Sequence, residues 1–247
     1  MKDWKAWQRW AKTSEAKKED GSHSSPAFDY LSTQFGTATV SVAQCWNREF
    51  TDQKRVQMTF AEYIHLWKQG KLSDPTNLLY LKDWHFVRDF ATYGAYQTPP
   101  HFELPGDWLN DFWDATHHRD DYRFVYMGPR GSWTPLHKDV FCSYSWSSNV
   151  CGRKLWIIFP SAVSPFLFSA DDECVYDVTA DSIDTLKWPR FQAIRSAKCV
   201  IQHPGEVIFI PSGYFHQVHN LDDCVSINHN WSNAYNLSNM WHHLQEE

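Results

Sequence analysis

His137 and Asp139 stand two residues apart in GSWTPLHKDVFCSYSW. In a strand, residues i and i+2 point to the same side, so both side chains can converge on one point. An imidazole nitrogen and a carboxylate oxygen are two of the three protein donors in the 2-His-1-carboxylate arrangement of non-haem iron sites. Such a set covers one face of the metal and leaves the opposite positions open for a chelating cosubstrate and oxygen. The third donor must come from elsewhere, and His216 in GYFHQVHN is the candidate, because the Pro211-Ser212-Gly213 turn before it would swing a new strand back over the first. The tripeptide alone does not establish a metal site. With 13 His in the chain, roughly one H-x-D is expected by chance. A second one, His118-Arg119-Asp120, closes a predicted helix, where a solvated terminus is the plain reading.

Lys154 opens the apolar run Lys154-Leu-Trp-Ile-Ile-Phe159. An ammonium is costly to bury unless an anion meets it, and a dicarboxylate cosubstrate would supply one. The alternative is a lysine at a strand end that snorkels to water. Thr134 could add a hydroxyl to the same carboxylate, although strict strand parity puts residue i−3 on the face opposite His137. Pro135 lies between them and removes a ladder donor, so a bulge that resets parity is expected. Asn228 in VSINHNW could offer an amide to a bound carboxylate or be a satisfied polar residue at a strand end. Trp133, Trp146 and Trp156 are candidates for excluding water around the metal, with core packing the competing role. His242-His243 reads as a surface pair.

These residues need elements that bring them together. Thr59-Phe-Ala-Glu62 is a capping-box pattern, followed by Tyr63, Ile64 and Trp67 at helical spacing and by Gly70 as a stop. A second helix is expected over Asp107–His117. After Asp121 the runs RFVYMGP, KLWIIFP, GEVIFIP and VSINHNW are β-branched, aromatic and bounded by Gly, Pro and Ser. No amphipathic helix separates them, so a closed or sandwiched β architecture is expected rather than βαβ units. GSHSSP at 21–26 reads as a loop, and the tail from Asn233 to Gln245 returns to helix. The expected organisation is one structural domain: a mixed part at 1–120 packed on a β core at 121–232, with a helical tail at 233–247.

Composition narrows the function classes. A chain of 247 residues can build one buried core, and its 14 Trp supply much ring surface for it. The net charge of −6, with no basic tract beyond Lys17-Lys18, argues against nucleic acid and leaves a basic protein or peptide partner open. No signal-peptide core and no membrane-length apolar stretch is present, which points to a soluble, intracellular protein. The six Cys contain no C-x-x-C pair and are expected to be free thiols.

Taken together, His137-x-Asp139, Lys154, GEVIFIPSGYFHQVHN with His216, and Asn228 resemble the JmjC-domain 2-oxoglutarate oxygenases. The similarity extends through LYLKDWHF, FVYMGPRGSWTPLHKDV and SYSWSSNVCGRKLWIIFP, and toward the N-terminus through FGTATVSVAQC and REFTDQKR. The resemblance implies a mainly β fold with flanking helices, a double-stranded β-helix of the jelly-roll, cupin-like kind. It implies Fe(II) held by His137, Asp139 and His216, with 2-oxoglutarate as cosubstrate and molecular oxygen as oxidant. Lys154 and Thr134 would hold the distal carboxylate, with Tyr80 of LYLKDW and Asn228 as further pocket residues. Asp at the second ligand position resembles the hydroxylase-type members. The branch it looks most like is associated with hydroxylating a lysine carbon (C4) of the eukaryotic translation termination factor, in the cytoplasm with nuclear presence allowed. An N-methyl-lysine demethylase and a non-catalytic JmjC binding module are the alternatives. Family members commonly carry a segment leading into the Asp3-Trp4 region and continue past the tryptophan-rich tail, whereas this chain starts at Met1 and ends at Glu247.

Overall fold

A computed structural model describes residues 1–13, 24–103, 106–116 and 121–246. Helix α1 (Lys5–Arg9) leads into β1 (Ala11–Thr13), which pairs with β2 (Ser24–Pro26) before α2 (Phe28–Phe35). The second half of the stretch read as a loop is thus a short strand, and its first half, 21–23, lies outside the described residues. A long hairpin follows, β3 (Thr39–Glu49) and β4 (Asp52–Thr59), then α3 (Phe60–Lys68), β5 (Leu79–Trp84), α4 (Phe86–Asp89) and α5 (Trp108–Thr116). The expected cap of α3 is present: the Thr59 hydroxyl accepts from the Glu62 N–H, and the Glu62 carboxylate accepts from the Thr59 N–H at 2.9 Å.

From residue 123 the chain alternates between two sheets. Strands β6 (Arg123–Gly128), β8 (Tyr144–Cys151), β11 (Val207–Ile210) and β13 (Cys224–Trp231) lie in one. Strands β7 (Trp133–Lys138), β9 (Lys154–Phe159), β10 (Lys198–Gln202) and β12 (Phe215–Asn220) form the other, and α6 (Leu237–Glu246) ends the chain. The small sheet has the order β10-β9-β12-β7. The large one runs β11-β8-β13-β6-β5-β3-β4, with antiparallel pairing throughout. This back-and-forth crossing is the double-stranded β-helix, a jelly roll. The β5–β6 pairing makes residues before 121 part of the same large sheet.

Strand parity sorts the side chains into three layers. The outer face of the large sheet (Val125, Met127, Trp146, Val225, Ile227) packs under the N-terminal helices with Trp10, Phe35, Phe60 and Phe86. The outer face of the small sheet (Leu136, Ile157, Phe159, Phe215) is covered by the excursion between β9 and β10 through Leu167 and Val175. The two inner faces enclose a cleft lined by polar residues, and that cleft holds the chemistry. Trp146 therefore belongs to the core, whereas Trp156 faces the cleft. Trp133 stacks on the ring of His219 at 5.6 Å.

The six Cys are unbridged, with Cys45, Cys142, Cys151 and Cys224 buried and Cys199 exposed. No helix among the described residues is long and apolar enough to cross a membrane. The β8–β9 turn depends on Gly152, whose φ of +73° is left-handed and whose missing Cβ would sit 2.3 Å from the Asp223 carbonyl oxygen. Gly152→Ala is expected to cost about 1–3 kcal/mol, the range for such backbone strain. A thermal melt checks it, and an unchanged melting temperature would contradict the close approach.

Candidate active site

The pairing of β7 with β12 is irregular. His137 lies opposite His216 and Thr134 opposite Val218, so β7 carries one residue more than its partner between those pairs. This is a bulge, and it falls at Pro135, the residue with no N–H to give the ladder. His216 and Val218 share a face of β12, so Thr134 and His137 share a face of β7 despite their odd spacing. On β9 the same inner face carries Lys154, Trp156 and Ile158, opposite Asn220, Val218 and His216. The turn at Gly213, with φ +76°, sets β12 on its return path.

His137, Asp139 and His216 each offer one donor atom, and these atoms all lie within 4.8 Å of one another. No other set of three His, Cys, Asp or Glu converges in this way among the described residues. The rival pair His118 and Asp120 lies outside them. The Nδ1 of His137 meets the Pro135 carbonyl oxygen at 2.9 Å, and that of His216 meets the Tyr214 carbonyl oxygen at 3.4 Å. A carbonyl can only accept, so each ring carries its proton on Nδ1 and leaves the Nε2 lone pair for a metal. The two rings are 4.2 Å apart, and the indole of Trp156 stacks on His216 at 5.6 Å. Burial, with His137 beside it, pushes His216 down to about 4, although Asp139 opposes the shift. A neutral imidazole is the ligand form.

Asp139 lies one residue past the end of β7, where the sequence reading has it within a strand. Its carboxylate is fixed from both sides. Ser145 donates its hydroxyl to Oδ2 at 2.7 Å, and the Asn230 amide donates to Oδ1 at 2.9 Å and to the Ser143 hydroxyl at 3.1 Å. Sequence reasoning missed both of these holders. Only the i+2 spacing of Asn230 from Asn228 was legible in the sequence; the pairing of Ser145 with Asn230 across the large sheet is set by strand registry.

Lys154 is 2 % exposed, so the snorkelling alternative does not hold. Its ammonium donates to the Tyr80 hydroxyl at 3.2 Å and lies 5.8 Å from the ring centroids of both Tyr80 and Tyr126. An ammonium carries three N–H donors, and among the described residues no carboxylate pairs with this one. Burial lowers its pKa from 10.5 to about 8. The Ser226 hydroxyl and the side-chain Oδ1 of Asn220 are also buried without partners. A buried cation that no carboxylate among the described residues meets fits one carboxylate of a diacid. The Tyr80 ring packs on Gly128, where a Cβ would come within 2.4 Å of it. Tyr126 is tied through its hydroxyl to Asp83, which pairs with Arg55.

Of the remaining candidates, Thr134 is half-buried beside the triad. Asn228 accepts a hydrogen bond from the Ser147 hydroxyl at 2.8 Å through its carbonyl oxygen, so its –NH2 is the end able to donate to a ligand. His242 is exposed and bonds the Ser238 carbonyl oxygen one turn back, as a surface residue does.

A jelly roll whose cleft gathers two imidazoles and a carboxylate defines a cupin-type protein with a candidate metal centre. Residues 1–237 match the model of the cupin-like domain family, and the chain belongs to that family. It is 47 % identical over 254 residues to Arginine-specific demethylase JMJ20 of Arabidopsis thaliana, covering 97 % of this chain and 52 % of the relative. It is 46 % identical over 251 residues to mouse 2-oxoglutarate and iron-dependent oxygenase JMJD4, covering 99 % and 56 %. The human protein of that name is 48 % identical over 226 residues, covering 90 % and 54 %. The chain thus spans about half the length of these relatives.

Proposed function

We propose that this chain is an Fe(II)- and 2-oxoglutarate-dependent oxygenase that hydroxylates a protein side chain, a lysine carbon (C4) of the translation termination factor. The observation that carries the enzyme class is the convergence of His137, Asp139 and His216 within 4.8 Å, in the same cleft as a buried Lys154 that no carboxylate among the described residues meets. When bound, ferrous iron with 2-oxoglutarate and oxygen supplies the oxidising power to insert one oxygen atom into a C–H bond. The protein's own work is positioning. Ser145 and Asn230 hold the Asp139 carboxylate, the two backbone carbonyls orient the imidazoles, and Trp156 covers His216 on its inner side. Lys154 holds the far carboxylate of the diacid with Tyr80, while Thr134, Asn228 and Ser226 offer further donors. On this reading the enzyme works in the cytoplasm, on a protein partner.

The experiment is intact-mass analysis of a termination-factor fragment after incubation with Fe(II) and 2-oxoglutarate. One added oxygen with matching succinate release is expected. A relative named as an arginine-specific demethylase favours a second reading, N-methyl removal, which would instead shorten the substrate by a methyl group and release formaldehyde. Tight partner binding with no turnover on either substrate would favour a non-catalytic module.

Cosubstrate binding should also depend on pH through Lys154. Burial leaves its free-protein pKa at about 8, so below that the ammonium is already formed and affinity is flat. Above about pH 8, binding must take up a proton, and affinity should fall about tenfold per unit. Tryptophan fluorescence titration with 2-oxoglutarate reads this directly. Affinity that stays constant to about pH 10 would remove Lys154 as the anchor.

A further inference from the structure

The turn that carries Asp139 into β8 is strained. Phe141 and Cys142 are consecutive non-glycine residues in the left-handed region, with φ of 53° and 51°. Side chains there cost about 1–2 kcal/mol each, and such strain persists only where the surroundings hold it. Within the turn, the Cys142 N–H donates to the Asp139 carbonyl oxygen at 3.2 Å and the Ser143 N–H to that of Val140 at 3.0 Å. These bonds shape the turn but do not tie it to the rest of the site.

One hydroxyl does. Ser212 donates to the Cys142 carbonyl oxygen, and Ser212 Oγ accepts from the Asn239 amide of α6 at 3.0 Å. Ser212 is buried and belongs to the turn that launches β12, four residues before His216. The same hydroxyl therefore links the backbone leading from Asp139 to the backbone leading to His216, and the C-terminal helix braces it. Asn239 is itself exposed, so water can replace part of its contribution.

We infer that Ser212 is a positioning residue for the metal-ligand set, clamping the strained Asp139 turn to the His216 turn, with Asn239 of α6 as its brace. The inference rests on the iron reading above and adds to it that triad geometry is maintained from outside the cleft. It predicts that metal affinity and global stability separate.

The test is Mn(II) binding by electron paramagnetic resonance, with thermal unfolding run alongside, on wild type, Asp139→Ala, Ser212→Ala, Asn239→Ala, Ser212→Thr and the double Ser212→Ala/Asn239→Ala. If wild type does not bind Mn(II), or Asp139→Ala binds it equally well, the iron reading itself fails. If those two behave as expected, Ser212→Ala should weaken Mn(II) about tenfold, the low end for losing a group that orients ligands. Asn239→Ala should weaken it less, the double variant should be no worse than Ser212→Ala, and Ser212→Thr should restore affinity. Unchanged affinity in folded Ser212→Ala would overturn the inference, as would additive losses in the double variant. A loss that only tracks the unfolded fraction would do the same.

Discussion

Asp139→Ala is expected to abolish iron-dependent turnover, while Asp120→Ala leaves it nearly intact. Losing a group that merely orients a ligand costs about 10–100-fold in metal affinity or activity, so losing the ligand itself must exceed about 100-fold. The fold should feel the change too. Ser145 and Asn230 are both 5 % exposed and spend their donors on this carboxylate. Removing it leaves buried donors unpaired, at about 1–3 kcal/mol for each that water cannot reach. The measurement is succinate release with Mn(II) binding and a melt on both variants. Equal losses at positions 139 and 120 would mean that the wrong H-x-D pair had been identified.

Lys154→Met is expected to move function and stability in opposite directions. Truncating one partner of a buried, hydrogen-bonded charge pair costs about 2–5 kcal/mol of binding, so 2-oxoglutarate affinity should fall by more than about tenfold. Without cosubstrate the ammonium is a buried charge with a neutral hydroxyl and two aromatic rings near it and no carboxylate among the described residues. Replacing it with an apolar side chain of similar length should stabilise the free protein by about 1–4 kcal/mol. For a chain of this size each kcal/mol moves the melting temperature by about 2–4 °C. The pH dependence fixes the sign. The lysine's folded pKa of about 8 lies below its ordinary 10.5, so its penalty is full below about 8 and disappears as pH approaches 10.5. The advantage of the Met variant should shrink over that window. A Lys154→Met protein less stable than wild type at neutral pH would show that the ammonium has a partner after all.

Much of the cleft could be read from the sequence because its strands advertise themselves. RFVYMG, KLWIIF and CVSINHNW are β6, β9 and β13, and their alternation fixes which residues face inward. The capping box at Thr59 marked the start of α3, and the i, i+2 spacing pointed from His137 to Asp139, although Asp139 lies one residue past the strand that the rule assumes. The predicted helix over Asp107–His117 is α5 at Trp108–Thr116, and the predicted tail helix begins at Leu237 instead of Asn233. There the Asn236 side chain accepts from the Asn233 N–H at 3.0 Å and spends the first residues in a turn. Other features had no local signature. The β3–β4 hairpin carries charged and polar residues on its exposed side, so its strands resemble mixed sequence until β5 pairs with β3. The grip of Ser145 and Asn230 on Asp139 is a contact across sheets, set by registry between segments far apart in the chain. Whether Lys154 reaches water was likewise undecidable from its own neighbours, because Tyr80 and Asn220 close over it from other strands.

The extra residue in β7 has a consequence for how such a gene can change. Losing one codon between Thr134 and His137 would restore regular pairing with β12, so the barrel would still assemble. The ladder would be mended, and Thr134, then two residues from His137, would still point to the same side as that ligand. Descendants of this fold could thus differ in length by one residue at this point and still present the same two side chains to the cleft.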